Sequence, residues 1–379
     1  MSKQILNFRL PCTIAGLVLA AGIGAQPVPS EFVVSGTAAA KILDTTTINL
    51  ATAESIARTC ERLAQERGVS VSVYVLDNDG NHVYMHRMDG QRWTNIATAE
   101  MKARTALRIR GPSKQLMNRV IRNPSDEAQL AEIGLFANSG GLPIIVNNQL
   151  IGAIGVGGSA PRIAEGWSDE ICAHKAMTEV LGPQPPLIED IPRTRTPATA
   201  PQPRFSASAP PESSLPPEFV VSGEAAARIY DGNQISADAA RRVAMACRNW
   251  AAEHGGTMSL FILDASGNAV HGERMDGQVY NNIRTALLKA QTAQRSREAT
   301  SARAASLINQ PAGLPRSVLL FDFYSVPGGL PIVVDGQMIG AIGVGGGAGG
   351  GDEACAVAGL TAVFGDRAAV PVYPETTSR

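Results

Sequence analysis

Apolar and polar positions follow two distinct periods along this chain, and the same succession of periods occurs twice. Residues 51–67 and 237–254 carry helix formers, with small or apolar residues recurring at helical spacing. Glycine follows each segment directly, as Gly68 in the first case and Gly255 in the second, and glycine is the usual residue just beyond a helix end. Each segment is therefore predicted to form a helix.

After each predicted helix the pattern changes to the twofold alternation of a β-strand. Residues 69–76 alternate and lead into the turn sequence of residues 77–80, and residues 257–263 lead into residues 264–267. Both turn sequences end in glycine and contain aspartate, which is typical of tight turns between antiparallel strands. Each repeat is therefore predicted to contain a β-hairpin at this point.

The remaining predicted elements keep the same order in both halves of the chain. Helices are predicted at residues 95–107 and 282–293, and later hairpins turn at Asn147-Asn148 and at Asp335-Gly336. A glycine-rich loop and a final helix complete each half. The order helix, hairpin, helices, hairpin, helix predicts an α+β fold in which helices pack on an antiparallel sheet.

Four exact sequence blocks show that the two halves are copies of one domain. EFVVSG begins at residues 31 and 218, RMDGQ at 87 and 274, GGLPI at 140 and 328, and IGAIGVGG at 151 and 339. The offset is 187 residues for the first two blocks and 188 for the last two, so little has been inserted between them. We therefore predict two domains of ordinary size, at residues 31–182 and 218–366.

The N-terminal residues 1–25 have the organisation of a secretory signal peptide. Lys3 and Arg9 precede the apolar run of residues 13–25, and small residues follow at a plausible cleavage point after Ala25. The alternative is an uncleaved anchor or a core helix, although the run is short for a membrane span. The sequence predicts an exported protein, either periplasmic or secreted.

Residues 183–217 form a proline-rich segment between the two copies. They hold 11 of the 24 prolines of the chain, together with many serine, threonine and alanine residues. Such a composition predicts an extended, semi-rigid linker. The linker is long enough for the two domains to pair side by side, and we expect a pseudo-twofold arrangement.

Composition and charge exclude several classes of protein. Apolar residues make up 44% of the chain, and 33 basic residues balance 34 acidic ones to a net charge of −1. No basic stripe is present that would neutralise phosphates, so nucleic acid is not expected as a partner. The cysteines are single in each region, without the paired Cys or His spacing of a zinc site, and no metal site is predicted.

The repeated motifs together resemble the GlcG/HbpS-like family of haem-binding proteins, which is sometimes labelled haem-degrading. The resemblance rests on the RMDG hairpin, the helix that carries Lys102 or Lys289, the GGLPI strand, the IGAIGVGG hairpin and the final Asp-Glu-x-Cys-Ala helix. It covers both copies almost end to end. It implies a profilin-like fold for each domain, with a five-stranded antiparallel sheet flanked by helices. It also implies haem as cofactor and assembly into homo-oligomers.

Charged residues that recur in both copies are the candidate ligand-binding residues. They are Arg87, Asp89 and Lys102 in the first copy, and Arg274, Asp276 and Lys289 in the second. Arginine and lysine at element ends are suited to hold the carboxylates of haem or of another organic acid. The alternative is structural: the arginine and aspartate of each hairpin form a salt bridge, and the lysine pairs with a carboxylate across an interface. The acidic pairs Asp169-Glu170 and Asp352-Glu353 also recur, where they favour the first turn of the last helix.

A haem iron needs an axial ligand, and the two copies share no histidine at equivalent positions. His271 in the second copy corresponds to Tyr84 in the first, and both residue types ligate haem iron. His271 and Tyr84 are therefore the candidate axial ligands. A satisfied or surface role is the alternative for both residues.

Four cysteines remain after removal of the predicted signal peptide, and they form two matched sets. Cys60 and Cys247 lie in the first helix of each copy, and Cys172 and Cys355 in the last. The first and last helices lie side by side in a profilin-like domain, so disulfides Cys60 to Cys172 and Cys247 to Cys355 are predicted. Export to an oxidising compartment would preserve them. Buried free thiols that pack between helices are the alternative.

Three function classes stay open from the sequence. The first is an exported protein that binds haem or a related tetrapyrrole, with a haem-degrading or redox-sensing role. The second is an enzyme or binding protein for a small organic acid, in which a lysine or aspartate moves a proton. The third is an assembly or accessory protein. No catalytic residue is assigned, and whether the chain is an enzyme stays open.

Overall fold

The computed structural model describes residues 28–42, 46–159, 166–191, 213–229, 231–308, 323–347 and 351–371. The predicted signal peptide lies outside these residues, as do residues 192–212 of the predicted linker. Among the helices in the described ranges, none combines the length and the apolar character that a membrane span requires.

The order of elements confirms the predicted α+β fold and its duplication. The described first repeat contains α1 (Gly36–Ile42), α2 (Leu50–Gln65), β1 (Ser72–Asp77), β2 (His82–Arg87), α3 (Trp93–Ile109), α4 (Lys114–Arg122), α5 (Asp126–Glu132), β3 (Gly141–Val146), β4 (Gln149–Gly157) and α6 (Asp169–Leu181). The described second repeat contains α7 (Gly223–Ile229), α8 (Ala237–Glu253), β5 (Ser259–Asp264), β6 (Ala269–Arg274), α9 (Tyr280–Ser296), α10 (Thr300–Ile308), β7 (Gly329–Val334), β8 (Gln337–Gly345) and α11 (Gly351–Phe364).

Local side chains account for where several elements begin and turn. The side-chain oxygen of Asn49 accepts a hydrogen bond from the backbone N–H of Thr52, at 2.8 Å, and caps α2. Ser236 caps α8 in the same way. Asn147 and Asn148 adopt positive φ angles of 50° and 63° between β3 and β4, as a two-residue hairpin turn requires.

All eight strands of the described residues join in one antiparallel sheet with the order β3-β4-β1-β2-β6-β5-β8-β7. The order reads the same from both ends, so the two repeats are related by a pseudo-twofold axis between β2 and β6. The expectation that the domains pack as a pseudo-twofold pair is confirmed. The linker therefore connects two halves of one sheet rather than two separate sheets.

Each repeat contributes four strands to the described sheet, and this corrects the five strands that the resemblance implied. The segment before α2 forms an isolated bridge between Ile48 and Val33, and the Ile48 N–H donates to the carbonyl of Ile151 at 3.0 Å. Because α2 begins at Leu50, this segment ends before it extends into a strand. The second repeat has the matching bridge between Val220 and Ile235.

The hydrophobic core has three parts, and one of them is common to both repeats. On one face of the sheet, α2 and α6 pack over the strands of the first repeat, and α8 and α11 pack over those of the second. On the other face, α3 and α9 cover a single cluster that includes Leu76 and Met85 of the first repeat with Phe261 and Leu263 of the second. Separation of the repeats would therefore expose core side chains.

The strands β2 and β6 meet along a short seam of three residue pairs. Tyr84 pairs with Glu273, Met85 with Gly272, and His86 with His271, in antiparallel register. A Cβ atom on Gly272 would lie 2.6 Å from the ring of Phe261, so only glycine fits beneath this ring. The seam is thus closely packed although it is short.

The described ends of the predicted linker pack on the repeats. Leu187 packs against the core of the first repeat, and Leu215 is buried in the core of the second. The imidazole Nε2 of His174 lies 2.8 Å from the carbonyl oxygen of Pro185. Residues 183–191 therefore extend the first repeat, because the side chain of Leu187 and the carbonyl of Pro185 both contact it.

The structure places the four cysteines in the predicted pairs, and all four are fully buried. Cys60 and Cys172 join α2 to α6 with a Cα separation of 5.2 Å, and Cys247 and Cys355 join α8 to α11 at 4.7 Å. Both separations lie within the range that disulfides adopt. Each bond connects elements more than 100 residues apart, at separations of 112 and 108 residues.

The mature chain, unfolded without reductant, is expected to expose no free thiol to a thiol-reactive dye. Reduction should release four thiols and lower the free energy of unfolding, by about 4 to 5 kcal/mol for each loop in the chain-entropy treatment. Detection of four thiols before any reductant is added would contradict both disulfides.

Acid is expected to destabilise the seam through its buried histidines. His82 lies between the rings of Tyr74 and Phe261, at centroid distances of 5.0 and 4.9 Å, and burial lowers the pKa of His82 to about 3. Between about pH 6.5 and pH 3 the unfolded chain binds a proton at His82 and the native chain does not. The free energy of unfolding should therefore fall by up to about 1.4 kcal/mol per pH unit in this window.

Urea unfolding from pH 7 to pH 4 measures this effect. The variant His82→Phe should show a shallower fall in stability with pH, whereas His254→Gln, at an exposed histidine just beyond α8, should leave the dependence unchanged. Identical pH dependences for the unmodified chain and His82→Phe would rule out this account.

Candidate functional site

Arg87 and Arg274, both predicted to bind ligand, instead join the two repeats. The guanidinium of Arg87 donates to Asp264 of the other repeat at 2.6 Å, to the carbonyl of Ala269 at 2.9 Å, and to the carbonyl of Gln91. Arg274 repeats these contacts with Asp77 at 2.7 Å and with the carbonyls of His82 and Gln278. Both arginines are buried.

Asp89 and Asp276 also act across the seam rather than in a ligand pocket. Asp89 accepts a hydrogen bond from the N–H of Ala237, the first residue of α8, at 2.7 Å. Asp276 accepts one from the N–H of Leu50, the first residue of α2, at 2.9 Å. Each aspartate therefore stabilises the start of a helix in the other repeat, where an anion interacts favourably with the helix dipole. The arginines and aspartates therefore make inter-repeat contacts in this structure, and their ligand-binding role stays a prediction.

Lys102 and Lys289 each anchor a helix to the sheet and to the last helix. The Nζ atom of Lys102 donates to Asp169 at 2.7 Å and to the carbonyl of Val156 at 2.8 Å. Lys289 makes the same contacts with Asp352 at 2.6 Å and with Val344 at 2.9 Å. Both ammonium groups are thus engaged by protein atoms. Lys102 nevertheless lines a cavity, unlike the hairpin arginines.

His271 and Tyr84 are fully buried at the seam, so neither faces an open cavity. The Nδ1 atom of His271 lies 3.1 Å from Nδ1 of His86, and its Nε2 lies 3.2 Å from a carboxylate oxygen of Glu273. The ring of Tyr84 packs edge-on against His271 at a centroid distance of 5.2 Å. The structure thus places both candidate axial ligands in the buried seam, and their role as ligands of a haem iron stays a prediction.

A cleft of about 1010 Å³ lies in the first repeat and is hereafter called the first-repeat cleft. It lies between the start of α3, the start of α4, the loop after β4 and the start of α6. Asn95 and Thr98 of α3, Ser139 before β3, and Ser159 after β4 give it a polar wall. Arg228 reaches the same cleft from α7 of the second repeat.

An ion cluster of buried Lys114 and Glu170 with exposed Asp190 lies along one side of the first-repeat cleft. The Nζ atom of Lys114 lies 3.2 Å from Glu170 and 2.6 Å from Asp190. Burial raises the pKa of Glu170, and the neighbouring Lys114 opposes that rise. Burial thus shifts the pKa of Glu170 toward the range of a general acid or base.

Two guanidinium groups of the cleft have no hydrogen-bond or ion-pair partner among the described residues. They belong to Arg92, the residue before α3, and to Arg228 on α7. Both side chains are exposed at the cleft. Guanidinium groups bind carboxylates in a bidentate manner, so this part of the cleft is suited to an anionic group.

Arg92, Lys114 and Arg228 were not among the residues predicted from the sequence. The prediction selected charged residues that both repeats share. In the second repeat Val279 replaces Arg92 and Ser301 replaces Lys114, while the first-repeat counterpart of Arg228 is Lys41. A comparison of the copies for charges present in one alone would have indicated Arg92 and Lys114.

A second cavity of about 640 Å³ lies between α2 and α8, above the buried histidines. Its charged side chains already pair with one another. Arg241 binds Glu61, and Arg248 lies 3.0 Å from Glu54 and 3.4 Å from Glu273. Since these charges compensate each other, the first-repeat cleft is the better candidate site. No cluster of His, Cys, Asp or Glu in the described residues is arranged to hold a metal ion.

Comparisons with known proteins agree on one family for both repeats. A family model described as "Haem degrading protein HbpS-like" matches residues 48–178 and 235–361. An uncharacterized 15.0 kDa protein from the dhaT-dhaS intergenic region of Citrobacter freundii is 35% identical over 135 residues, which cover 35% of this chain and 90% of that protein.

Two crystal structures match a similar share of this chain. Protein ORFY of Klebsiella pneumoniae is 29% identical, covers 35% of this chain and 90% of its own, and has a TM-score of 0.31. HbpS is 30% identical, covers 37% of this chain and 93% of its own, and has a TM-score of 0.32. By its matched length, the Citrobacter freundii relative corresponds to about one repeat of this chain.

Replacement of Arg87 by methionine is expected to lower the free energy of unfolding by about 3 to 5 kcal/mol. The substitution leaves the carboxylate of Asp264 buried without its partner, and an unpaired buried charge is costly. The matched control is Arg367→Met, which breaks an exposed ion pair with Asp335 and should lower the free energy of unfolding far less, because solvent screens exposed pairs. Chemical denaturation measures both values, and equal losses would contradict the inter-repeat role of Arg87.

Proposed function

Because the chain belongs to the HbpS-like family of haem degrading proteins, we propose that it binds haem or a related tetrapyrrole in the first-repeat cleft. The observation that carries the proposal is the cleft itself, in which Arg92 and Arg228 have no partner among the described residues. The carboxylates of a tetrapyrrole supply the anionic groups that these two guanidiniums lack.

The size of the cleft supports a large ligand. Pockets for drug-sized molecules have volumes of roughly 300 to 1000 Å³, and the first-repeat cleft, at about 1010 Å³, lies at the top of this range. A small organic acid would leave most of this volume to water. The volume therefore favours a macrocycle over a compact acid.

The described lining residues fit the carboxylates of haem better than its iron. Bound haem would supply the redox chemistry of an iron centre, but no His, Cys or Tyr lines the cleft among these residues. Met117, a thioether, is the lining residue of a type that ligates haem iron. We therefore propose recognition through the carboxylates and assign no residue to haem degradation or redox sensing.

Export is part of the same proposal. Residues 1–25 carry the features of a signal peptide, and the four cysteines beyond them pair with disulfide geometry. Both observations support a periplasmic or secreted protein.

Homo-oligomers are proposed as well, since Trp93 and Tyr280 expose large apolar rings at equivalent positions of the two repeats.

A small organic acid is the second candidate ligand, and the polarity of the cleft wall favours it. The hydroxyl of Ser159 and the carboxylate of Asp169 form a polar floor, and Glu170 has a pKa raised by burial. Arg92 and Arg228 would hold the carboxylate of a compact acid, and Glu170 would transfer a proton, as an enzyme acting on such a substrate requires.

Absorbance titrations with hemin and with iron-free protoporphyrin IX test the proposal. Since carboxylates rather than iron are recognised, both compounds should bind with affinities within a few-fold of each other. Arg92→Ala should weaken both by about tenfold, as the loss of one charge-assisted pair implies. Arg58→Ala is the control, because Arg58 is an exposed arginine of the second cavity.

Binding of hemin without binding of protoporphyrin would contradict recognition through carboxylates. Binding of neither compound, together with calorimetric binding of a four-carbon dicarboxylate, would replace the proposal by the second candidate.

A further inference from the structure

The two repeats keep the same structural frame around the cleft position. Lys102 pairs with Asp169 in the first repeat, and Lys289 pairs with Asp352 in the second, at 2.7 and 2.6 Å. The backbone N–H of the glycine that begins the GLPI strand donates to a hydroxyl at the start of the fourth helix of each repeat, which belongs to Ser113 in the first repeat and to Thr300 in the second. The backbone frame has therefore been retained in both copies.

The charges on this frame differ between the copies. Position 92 is arginine in the first repeat, and the equivalent position 279 is valine. Lys114 is replaced by Ser301, whose hydroxyl donates to Glu353 at 2.7 Å where Lys114 instead lies 3.2 Å from Glu170. At these two positions the second repeat lacks the cations of the first.

The remaining cation of the first-repeat cleft comes from the second repeat. Helix α7 packs on the turn at Gly90, where a Cβ atom would lie 3.3 Å from Cα of Ala225 and 3.5 Å from Cδ of Arg228. Gly90 has a φ of 78°, so the turn itself also favours glycine. The close approach delivers Arg228 to the first-repeat cleft.

The reciprocal contact is built in the same way but delivers a different cation. A Cβ atom on Gly277 would lie 3.3 Å from Cα of Ala38 and 3.5 Å from Cδ of Lys41, which lies on α1 of the first repeat. Lysine offers a point charge, whereas the planar guanidinium of arginine binds a carboxylate with two parallel hydrogen bonds. Helices α1 and α7 thus pack on the other repeat in the same way, but α7 brings an arginine and α1 a lysine.

We propose that the chain holds one tetrapyrrole site, which is the first-repeat cleft completed by Arg228 of the second repeat, and that the second repeat serves as its scaffold. This inference rests on the proposed function and specifies which repeat performs it. Arg92 and Arg228 are the two carboxylate anchors. The duplication has then allowed one copy to keep ligand binding while the other supplies a residue to it.

Titration of the full mature chain with protoporphyrin IX tests the proposal through its stoichiometry and through a pair of matched variants. One ligand should bind per chain. Arg228→Ala should raise the dissociation constant by about tenfold or more, since an anchor is lost, whereas Lys41→Ala, the equivalent change at the other crossing helix, should change it by less than twofold. Both side chains are exposed, so neither change should alter folding, and circular dichroism checks this.

Two ligands per chain with equal affinity, or equal losses from Arg228→Ala and Lys41→Ala, would overturn the single site while leaving the proposed function in place. An absence of binding by the unmodified chain to both hemin and protoporphyrin would instead overturn the proposed function.

Discussion

The pairing of β2 with β6 is the contact on which the arrangement of this protein depends. It joins two four-stranded halves into one sheet through three residue pairs, and it lies at the centre of that sheet. Three residue pairs supply few backbone hydrogen bonds between the strands, so side-chain contacts around the seam must supply most of its stability. The shared core beneath α3 and α9 and the two buried ion pairs, Arg87 with Asp264 and Arg274 with Asp77, close it from both sides.

The exact repetition of the RMDGQ block follows from this seam. Its arginine binds an aspartate of the other repeat, its aspartate binds the first N–H of a helix in the other repeat, and its glycine admits a crossing helix. Three of five residues in the block therefore act between repeats. A pseudo-twofold interface needs the same residues on both of its sides, because each side makes the contact that the other receives. Repetition of a charged motif here indicates assembly rather than a shared ligand site.

The sequence predicted the features that depend on local periodicity. Hairpins, helices and their order follow from alternation and from turn residues, and the positions of Cys60 and Cys172 in the first and last helices follow from the implied fold. The partners of Arg87 and Arg274 lie 177 and 197 residues away and in the other repeat, so no local pattern indicates them. Five strands per domain were expected, and the described residues hold four because α2 begins immediately after the bridge at Ile48.

The candidate site was the least accessible to prediction, since it depends on a difference between the copies. Arg92 and Val279 occupy equivalent positions, and a search for shared charges passes over such a pair. Arg228 reaches the cleft only because α7 crosses the pseudo-twofold axis, which is a consequence of the seam. The candidate site therefore depends on the packing of the two repeats against each other.

Differential scanning calorimetry of the mature chain tests most directly whether the two repeats form one cooperative unit. A single transition is expected, with a calorimetric enthalpy equal to the van't Hoff enthalpy, because the sheet, the shared core and the crossing contacts must be lost together. Two resolved transitions, or a calorimetric enthalpy near twice the van't Hoff value, would show that the repeats unfold independently and would contradict the account.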